Sequence, residues 1–208
     1  MSEYFNKLDK LQMDTLKEKA VLENVPIIKD ETLKLILFLT KFKKLNKVLE
    51  IGTAVGYTSI MLAKNGCFVE TIEINEKMYE EALLNISKEN LQNCIKVIKG
   101  DALEIPLESL SKEYDIIFID AAKAQYRKFF ERFSPFLNDG GVIVIDNLLF
   151  HGFVDEFSKT GDVSGSRNLR GLARKIDVFN HWLCANENFD TTFLDIGDGV
   201  ALCVRKWI

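Results

Sequence analysis

From residue 48 onward, short apolar runs alternate with amphipathic segments, and this alternation constrains the fold more than any other feature of the chain. It is typical of an α/β protein in which helices connect the strands of a mostly parallel sheet. Only five residues, 195–199, separate the last two apolar runs. Because five residues can form a hairpin but cannot contain a crossover helix, we expect the last two strands to be antiparallel. The predicted strands are residues 48–51, 69–74, 95–99, 115–119, 142–145, 189–194 and 200–206.

Helical periodicity places the remaining elements before and between these strands. A glycine-bearing stretch, residues 148–166, follows the fifth strand and is expected to be irregular. The 208-residue chain has no repeat or linker, so we expect one domain, 1–208, with a helical segment, 1–45, packed over the ligand site. The predicted helices are residues 8–22, 32–42, 58–65, 76–90, 124–137 and 167–186, with a short element near 107–110.

Composition excludes several protein classes. The chain is 47% hydrophobic and 28% charged, which fits a globular protein rather than a disordered or fibrous one. No uncharged apolar run approaches the ~18–20 residues of a membrane span, and the N-terminus lacks signal-peptide order, so we expect a cytoplasmic protein without membrane contact. The four cysteines form no C-x-x-C motif and there are two histidines, which disfavours zinc. A net charge of −4 leaves room only for a local nucleic-acid-binding patch.

Carboxylates stand at or directly after the carboxyl ends of all five predicted parallel strands, where open α/β sheets bind their ligands. Helix capping accounts for any one of them, because Asp caps helices well. Capping does not favour Glu in the same way, so the five together predict a ligand site. They are Glu50, Glu73, Asp101, Asp120 and Asp146.

The loop after the first strand resembles a nucleotide-binding turn but lacks one of its glycines. Gly52 and Gly56 are present, whereas Ala54 stands where the dinucleotide fingerprint needs a glycine to approach a pyrophosphate. S-adenosylmethionine has no phosphate, so its loop tolerates Ala54; this residue and the terminal hairpin disfavour a dehydrogenase. Glu73 suits a ribose diol, although NAD uses the same geometry, and Asp101 can accept from an adenine amino group.

Asp120, Asp146 and Asn147 form the most specific pattern in the sequence. Asp146 and Asn147 lie 26 and 27 residues after Asp120, one strand–helix–strand step, so adjacent strand ends bring the three together. Two carboxylates and one amide oxygen are hard ligands that suit Mg²⁺. Lys123, three residues after Asp120, is a candidate general base beside this set. The alternative is that Lys123 is a solvated surface residue.

Three strings resemble the class I, cation-dependent O-methyltransferases, the family of catechol and caffeoyl-CoA O-methyltransferases. They are VLEIGTAVGYT (48–58), FIDAAKAQY (118–126) and GGVIVIDN (140–147). The resemblance implies a Rossmann-like methyltransferase fold with a seven-stranded sheet, S-adenosylmethionine and Mg²⁺ as cofactors, and a homodimer. It implies that Asp120, Asp146 and Asn147 hold the metal, with Lys123 and Asp120 catalytic. The residues that it places around S-adenosylmethionine are Val25, Gly52, Gly56, Thr58, Glu73, Asp101, Ala102 and Asp120.

Within that family the chain is similar to a bacterial branch that contains a tRNA 5-hydroxyuridine methyltransferase, which acts at the wobble position of the anticodon. The strings that carry this similarity are DNLLFHG (146–152), FNHWL (179–183) and LDIGDGVA (194–201). Arg167, Arg170 and Arg174 are spaced i, i+3, i+7 and therefore share one helix face that can contact tRNA phosphates. A solvated face, or contact with a dimer partner, explains them equally well.

Other functions are compatible with the same residues. Phe150, His151 and Phe153 follow the metal residues and can stack on a uracil, or they can pack in the core or in a lid. A catechol-like O-methyltransferase with a different lid is the second hypothesis. A non-catalytic binding module is the third, and the intact Asp120, Lys123, Asp146 and Asn147 argue against it.

Overall fold

The computed structural model describes residues 15–206, in which helices and strands alternate around one sheet. The strands are β1 Lys47–Ile51, β2 Phe68–Glu73, β3 Ile95–Lys99, β4 Tyr114–Ile119, β5 Leu137–Ile145, β6 Phe189–Leu194 and β7 Val200–Arg205. The α-helices are α1 Thr15–Leu22, α2 Asp30–Lys43, α3 Tyr57–Lys64, α4 Glu76–Lys88, α5 Tyr126–Phe133, α6 Phe153–Thr160 and α7 Arg167–Cys184. Short 3₁₀ helices cover Leu107–Ser109, Lys123–Gln125 and Ser134–Phe136.

The seven strands follow the order β3-β2-β1-β4-β5-β7-β6. The first five are parallel, and β7 lies antiparallel between β5 and β6, which confirms the predicted terminal hairpin. The order changes direction between β1 and β4, the place at which α/β sheets bind ligands. Ile51 pairs with Ile119, which in turn pairs with Ile145, so the residues after these three strands lie at one level of the sheet edge.

Helices cover both faces of the sheet, and two apolar clusters result. On one face, β-residues such as Ile117 and Ile143 pack against α5 and α7. On the other face, Phe118 and Val144 pack against α2 and α3. Burial on both faces explains why the parallel strands are continuous apolar runs rather than alternating ones.

Most predicted boundaries lie within two residues of those in the structure, and the larger differences concern β5, α5 and α6. β5 begins at Leu137 rather than 142, where Leu137 pairs with Tyr114 before a register shift. The predicted helix 124–137 is α-helical only over α5, because a proline in the 3₁₀ turn Ser134–Phe136 lacks the N–H that a helix needs. The stretch predicted to be irregular contains α6, bounded by the left-handed glycines Gly152 and Gly161.

Two further expectations concern the helices. Residues 8–14 of the first predicted helix lie outside the described residues. Between residues 15 and 206, no helix has both the length and the apolar character that crossing a bilayer requires.

We predict that Phe130→Ala lowers the free energy of unfolding by about 3–5 kcal/mol, because a truncated core aromatic leaves a cavity. Phe130 is 2% exposed and packs edge-on against Trp182 and Phe189. The measurement is the urea unfolding midpoint. Phe68→Ala is the matched control: Phe68 is 59% exposed, so its loss is expected to cost less than about 1 kcal/mol. Equal losses for the two variants would contradict the packing described here.

Candidate functional site

A crevice of about 360 Å³ opens at the carboxyl ends of β1 to β4. The segment before α2 closes one side of it, since Val25, Pro26, Ile27 and Ile28 all line it. Seven of the residues predicted to border a cofactor line this crevice. They are Val25, Gly52, Thr58, Glu73, Asp101, Ala102 and Asp120.

The loop between β1 and α3 needs glycine-like backbone at two places. Gly52 has φ +104°, and a Cβ there would lie 2.2 Å from the carbonyl oxygen of Asp120. Ala54 has φ +47°, a left-handed conformation that most residues avoid. The loop therefore keeps a glycine-like turn at the position where the sequence departs from the dinucleotide fingerprint.

Gly56 does not line the crevice. It caps the N-terminus of α3 with φ +84°, and a Cβ there would meet Ala82 of α4 at 3.4 Å. Gly56 therefore turns the chain into α3 and lets the helices pack closely, while Thr58, two residues on, faces the crevice.

The carboxylate of Glu73 is fixed at the end of β2 by backbone donors. Ala54 N–H donates to Oε2 at 2.8 Å, and Asn75 N–H donates to Oε1 at 2.8 Å. Each oxygen keeps a further acceptor site, so the carboxylate can receive both hydroxyls of a diol. At the end of β3, Asp101 is oriented in the same way, since Leu103 N–H donates to its Oδ1 at 2.8 Å.

Asp120, Asp146 and Asn147 meet at the adjacent ends of β4 and β5. Asn147 Nδ2 donates to Asp120 Oδ1 at 2.9 Å, and Asn147 N–H donates to Asp146 Oδ1 at 2.7 Å. Burial raises the pKa of Asp120, which the charge of Lys123 opposes. Burial, and then the charge of Asp120, raise the pKa of Asp146 to about 7.

The donor set fits a hard divalent cation. The charge of Asp120 raises the pKa of Asp146, and the charge of Lys123 offsets this only in part. No cluster of three or more His, Cys, Asp or Glu that could hold a metal occurs in residues 15–206, and the Asn147 amide lies within hydrogen-bond distance of Asp120. A half-turn about the Asn147 Cβ–Cγ bond exchanges its nitrogen for its oxygen, which gives the oxygen-only set that Mg²⁺ prefers.

Distant parts of the chain hold Asp146 in place. The Tyr126 hydroxyl donates to the Asp146 carbonyl oxygen at 2.8 Å, and Thr32 Oγ1 of α2 lies 3.4 Å from Asp146 Oδ1. Thr32 belongs to none of the strings that carry the resemblance, and Tyr126 ends one of them without a role assigned to it. Only the packing of α2 and α5 against the sheet reveals their role.

The turn of the terminal hairpin fixes the loop that follows Asn147. Leu148 N–H donates to the Gly199 carbonyl at 2.9 Å, and Leu149 N–H donates to the Asp198 carbonyl at 2.8 Å. The buried Asp198 carboxylate accepts from His151 N–H at 2.6 Å. A Cβ on Gly199 would lie 2.8 Å from Leu149 N, so this contact requires glycine. In the sequence, residues 194–201 indicate only a family resemblance. In the structure, they support the loop that follows Asn147.

Lys123 begins the 3₁₀ helix after β4. Its charge opposes the rise in the pKa of both Asp120 and Asp146. Within residues 15–206 it makes no hydrogen bond to either carboxylate.

Several apolar residues of the crevice were not predicted from the sequence, and two of them lie beside Glu73 and in α4. Ile74 and Met78 line the crevice, and Ile74 is 66% exposed directly after Glu73. The sequence signal for Ile74 is its position directly after Glu73, the predicted ribose-binding carboxylate. An apolar side chain at that position offers a surface for a flat ring.

The predicted basic face lies on α7, outside the crevice. Arg167, Arg170 and Arg174 are exposed, as the spacing predicts for one helix face. Arg170 Nε lies 3.8 Å from Asp162 Oδ1, so this arginine already has an anionic neighbour.

Known proteins resemble this chain over nearly its whole length. Residues 2–206 match the family model described as O-methyltransferase. The caffeoyl-CoA O-methyltransferase of Populus kitakamiensis is 30% identical over 207 residues, which cover 96% of this chain and 86% of that protein. The catechol O-methyltransferase of Niastella koreensis is 33% identical over 187 residues, 83% of this chain and 79% of that protein.

Two solved structures extend the comparison. A Staphylococcus aureus protein assigned as a caffeoyl-CoA O-methyltransferase superposes with a TM-score of 0.89 at 38% identity, covering 98% of both chains. An O-methyltransferase from Bacillus cereus in complex with SAH has a TM-score of 0.78 at 27% identity, covering 98% of this chain and 96% of that one.

Glu50 lies behind the loop rather than in the crevice, and its charge is poorly compensated. Oε2 accepts from Thr71 Oγ1 at 2.7 Å and from Ser59 Oγ, whereas Oε1 is buried without a hydrogen-bond partner in the described chain. Burial raises the pKa of Glu50 to about 7. In an unfolded chain the pKa of Glu is about 4.3. The folded state therefore binds more protons between these pH values, and its stability falls as pH rises.

We predict that Glu50→Gln removes this pH dependence. Relative to the unmodified protein, its free energy of unfolding should rise by about 1–3 kcal/mol between about pH 5 and pH 8, because an amide has no proton to lose. Urea unfolding at several pH values measures it. Glu104→Gln, at an exposed site, is the control and should show no trend. A stability difference for Glu50→Gln that is constant with pH would contradict the assignment.

Proposed function

The chain belongs to the O-methyltransferase family, and from this premise we propose that it methylates the 5-hydroxyl of 5-hydroxyuridine at the wobble position of tRNA, with Mg²⁺ bound at Asp120, Asp146 and Asn147. Its activity is that of an S-adenosylmethionine-dependent O-methyltransferase. The observation that carries the metal assignment is the meeting of two buried carboxylates and one amide at adjacent strand ends.

In this proposal the crevice binds S-adenosylmethionine, which supplies an electrophilic methyl group. Glu73 receives the ribose hydroxyls, because both of its oxygens are already oriented by backbone donors. Asp101 accepts from the adenine amino group, and Ile74 packs against the adenine ring. Val25 closes the crevice from the N-terminal side and excludes water.

The metal-binding residues position the acceptor. When bound, Mg²⁺ lowers the pKa of a hydroxyl in its coordination sphere. Asp120 and Asp146 provide the negative charge that retains the cation, and Tyr126 and Thr32 keep Asp146 in place. Lys123 takes the acceptor proton at Nζ. Holding the two reactants in line contributes most of the rate in this scheme.

The exposed arginines of α7 support an RNA acceptor. Arg167, Arg170 and Arg174 lie on α7, the second helix after the metal-site loop, where they can contact phosphates. The rings of Phe150 and Phe153, 5.6 Å apart, provide an aromatic surface for a base.

A catechol-like small molecule is the second candidate acceptor. The 33% identity to a catechol O-methyltransferase favours it, and its two neighbouring oxygens suit a metal with open coordination positions. The proposed homodimer rests on the family resemblance. An exposed pair of stacked rings on α2, Phe38 and Phe42 at 5.7 Å, is compatible with it.

We predict methyl transfer to tRNA that carries 5-hydroxyuridine. The measurement uses labelled S-adenosylmethionine and compares this tRNA with a panel of catechols. Label in the tRNA should disappear with EDTA and fall about 10²–10⁴-fold in Lys123→Ala, the range for loss of a general base. Label only in catechols would contradict the tRNA proposal and leave the metal site standing.

We predict that Asp146→Ala lowers methyl transfer more than about 100-fold, since loss of an outer-shell partner alone costs about 10–100-fold. Titration with Mg²⁺, followed by calorimetry, should show the weakened metal binding directly. Asp139→Ala changes an exposed aspartate of the same strand and is expected to leave both quantities unchanged. Unchanged Mg²⁺ affinity in Asp146→Ala would overturn the metal assignment.

A further inference from the structure

A second cleft, of about 490 Å³, adjoins the candidate active site between the 3₁₀ helix Lys123–Gln125 and α7. Four cationic side chains line it, and no carboxylate does: they are Lys123, Arg127, Arg174 and Lys175. Lys123 lines this cleft three residues after Asp120, and its neighbours Ala122 and Gln125 line the first crevice, so one short segment borders both cavities.

The shape of the cleft follows from the residues of α7. Gly171, Arg174, Lys175 and Val178 are spaced i, i+3, i+4, i+7 and therefore face it together. Gly171 presents no side chain, and a Cβ there would meet nothing within 4 Å. The floor is apolar and rigid, because the buried rings of Tyr126 and Phe179 pack 5.6 Å apart.

The positive charge of the cleft is only partly compensated. Arg127 Nε contacts Glu131 Oε1 at 2.8 Å, and its guanidinium stacks 4.9 Å from the Trp182 ring, which holds it in position. Arg174 and Lys175 make no ion pair within residues 15–206. Lys123 and Arg127 stand four residues apart, a spacing at which like charges repel. A chain that holds these cations around one cavity is arranged for an anion.

We propose that this cleft binds a phosphate group of the methyl acceptor. The inference rests on the proposed function and deepens it: the ligand is a phosphodiester of the RNA chain beside the modified nucleotide. The planar guanidinium of arginine donates several hydrogen bonds, and the ammonium of lysine is a compact charge. Both groups suit phosphate oxygens. Because the segment from Ala121 to Gln125 borders both cavities, the bound phosphate lies close to the acceptor hydroxyl. The cleft thus selects a nucleotide within a chain over a free nucleoside.

The test compares acceptors with and without phosphate. The variant is Arg174→Gln with Lys175→Gln, and kcat/KM is measured for an anticodon stem-loop that carries 5-hydroxyuridine and for the free nucleoside 5-hydroxyuridine. We expect a loss of at least about tenfold for the stem-loop, which corresponds to one charge-assisted phosphate contact or more. The nucleoside should change less than about twofold. The slope of log affinity against log salt should also fall by about 1.

Direct binding provides a readout apart from activity. Fluorescence anisotropy of a labelled stem-loop, without S-adenosylmethionine or Mg²⁺, should show the same loss of affinity in the variant. The matched control is Lys88→Gln with Lys112→Gln, two exposed lysines away from the cleft, which should bind the stem-loop as the unmodified protein does. Thermal unfolding and S-adenosylhomocysteine binding verify that the variant is folded.

Each outcome decides the proposal. Equal losses for stem-loop and nucleoside would overturn it, because the cleft would then act through Lys123 on catalysis. Unchanged stem-loop affinity would also overturn it. If catechols are methylated and tRNA is not, the two acceptors to compare are caffeoyl-CoA, which carries phosphate groups, and a phosphate-free catechol. A selective loss for the phosphate-bearing acceptor would then keep the cleft and reject tRNA, whereas an equal effect on both would reject the cleft as well.

Discussion

The juxtaposition of Asp120 and Asp146 is the constraint on which the rest of the site depends. Register places them side by side, because Ile119 pairs with Ile145 and each carboxylate follows its strand directly. The charge of Asp120 adds to burial in raising the pKa of Asp146, so ionising both carboxylates together costs free energy. Such a pair is costly for a fold that has no cation to bind. Contacts from distant parts of the chain hold the carboxylate pair in place.

Those contacts come from both ends of the described chain. Thr32 belongs to α2, near the N-terminal end of the described chain. The turn of the β6–β7 hairpin lies near its C-terminal end. The antiparallel hairpin is therefore more than an extension of the sheet. Its turn accepts backbone hydrogen bonds from the loop after Asn147 and fixes that loop beside the carboxylates.

Charge of opposite sign lies on either side of Lys123. The carboxylate pair is on one side and the cationic cleft of α5 and α7 is on the other. A ligand that fits both sides carries a hydroxyl group for the carboxylate pair and an anionic group for the cationic cleft. In the proposed function, this separation over a short distance gives a physical basis for acceptor choice.

The sequence by itself determined the order of the elements and the strand-end residues. Apolar runs separated by helical periods identify the parallel strands, and a five-residue connection allows only a hairpin, since both signals are local in the chain. Local periodicity could not find α6, because eight residues between two glycines give too short a pattern. Local periodicity also could not distinguish the roles of the two loop glycines. Gly56 packs against Ala82, whereas Gly52 approaches Asp120. The tertiary structure decided these points, together with the support of Asp146 by Tyr126 and Thr32. It alone brought Lys123 and Arg127 together with Arg174 and Lys175, because contacts between residues about fifty positions apart depend on how helices pack on the sheet.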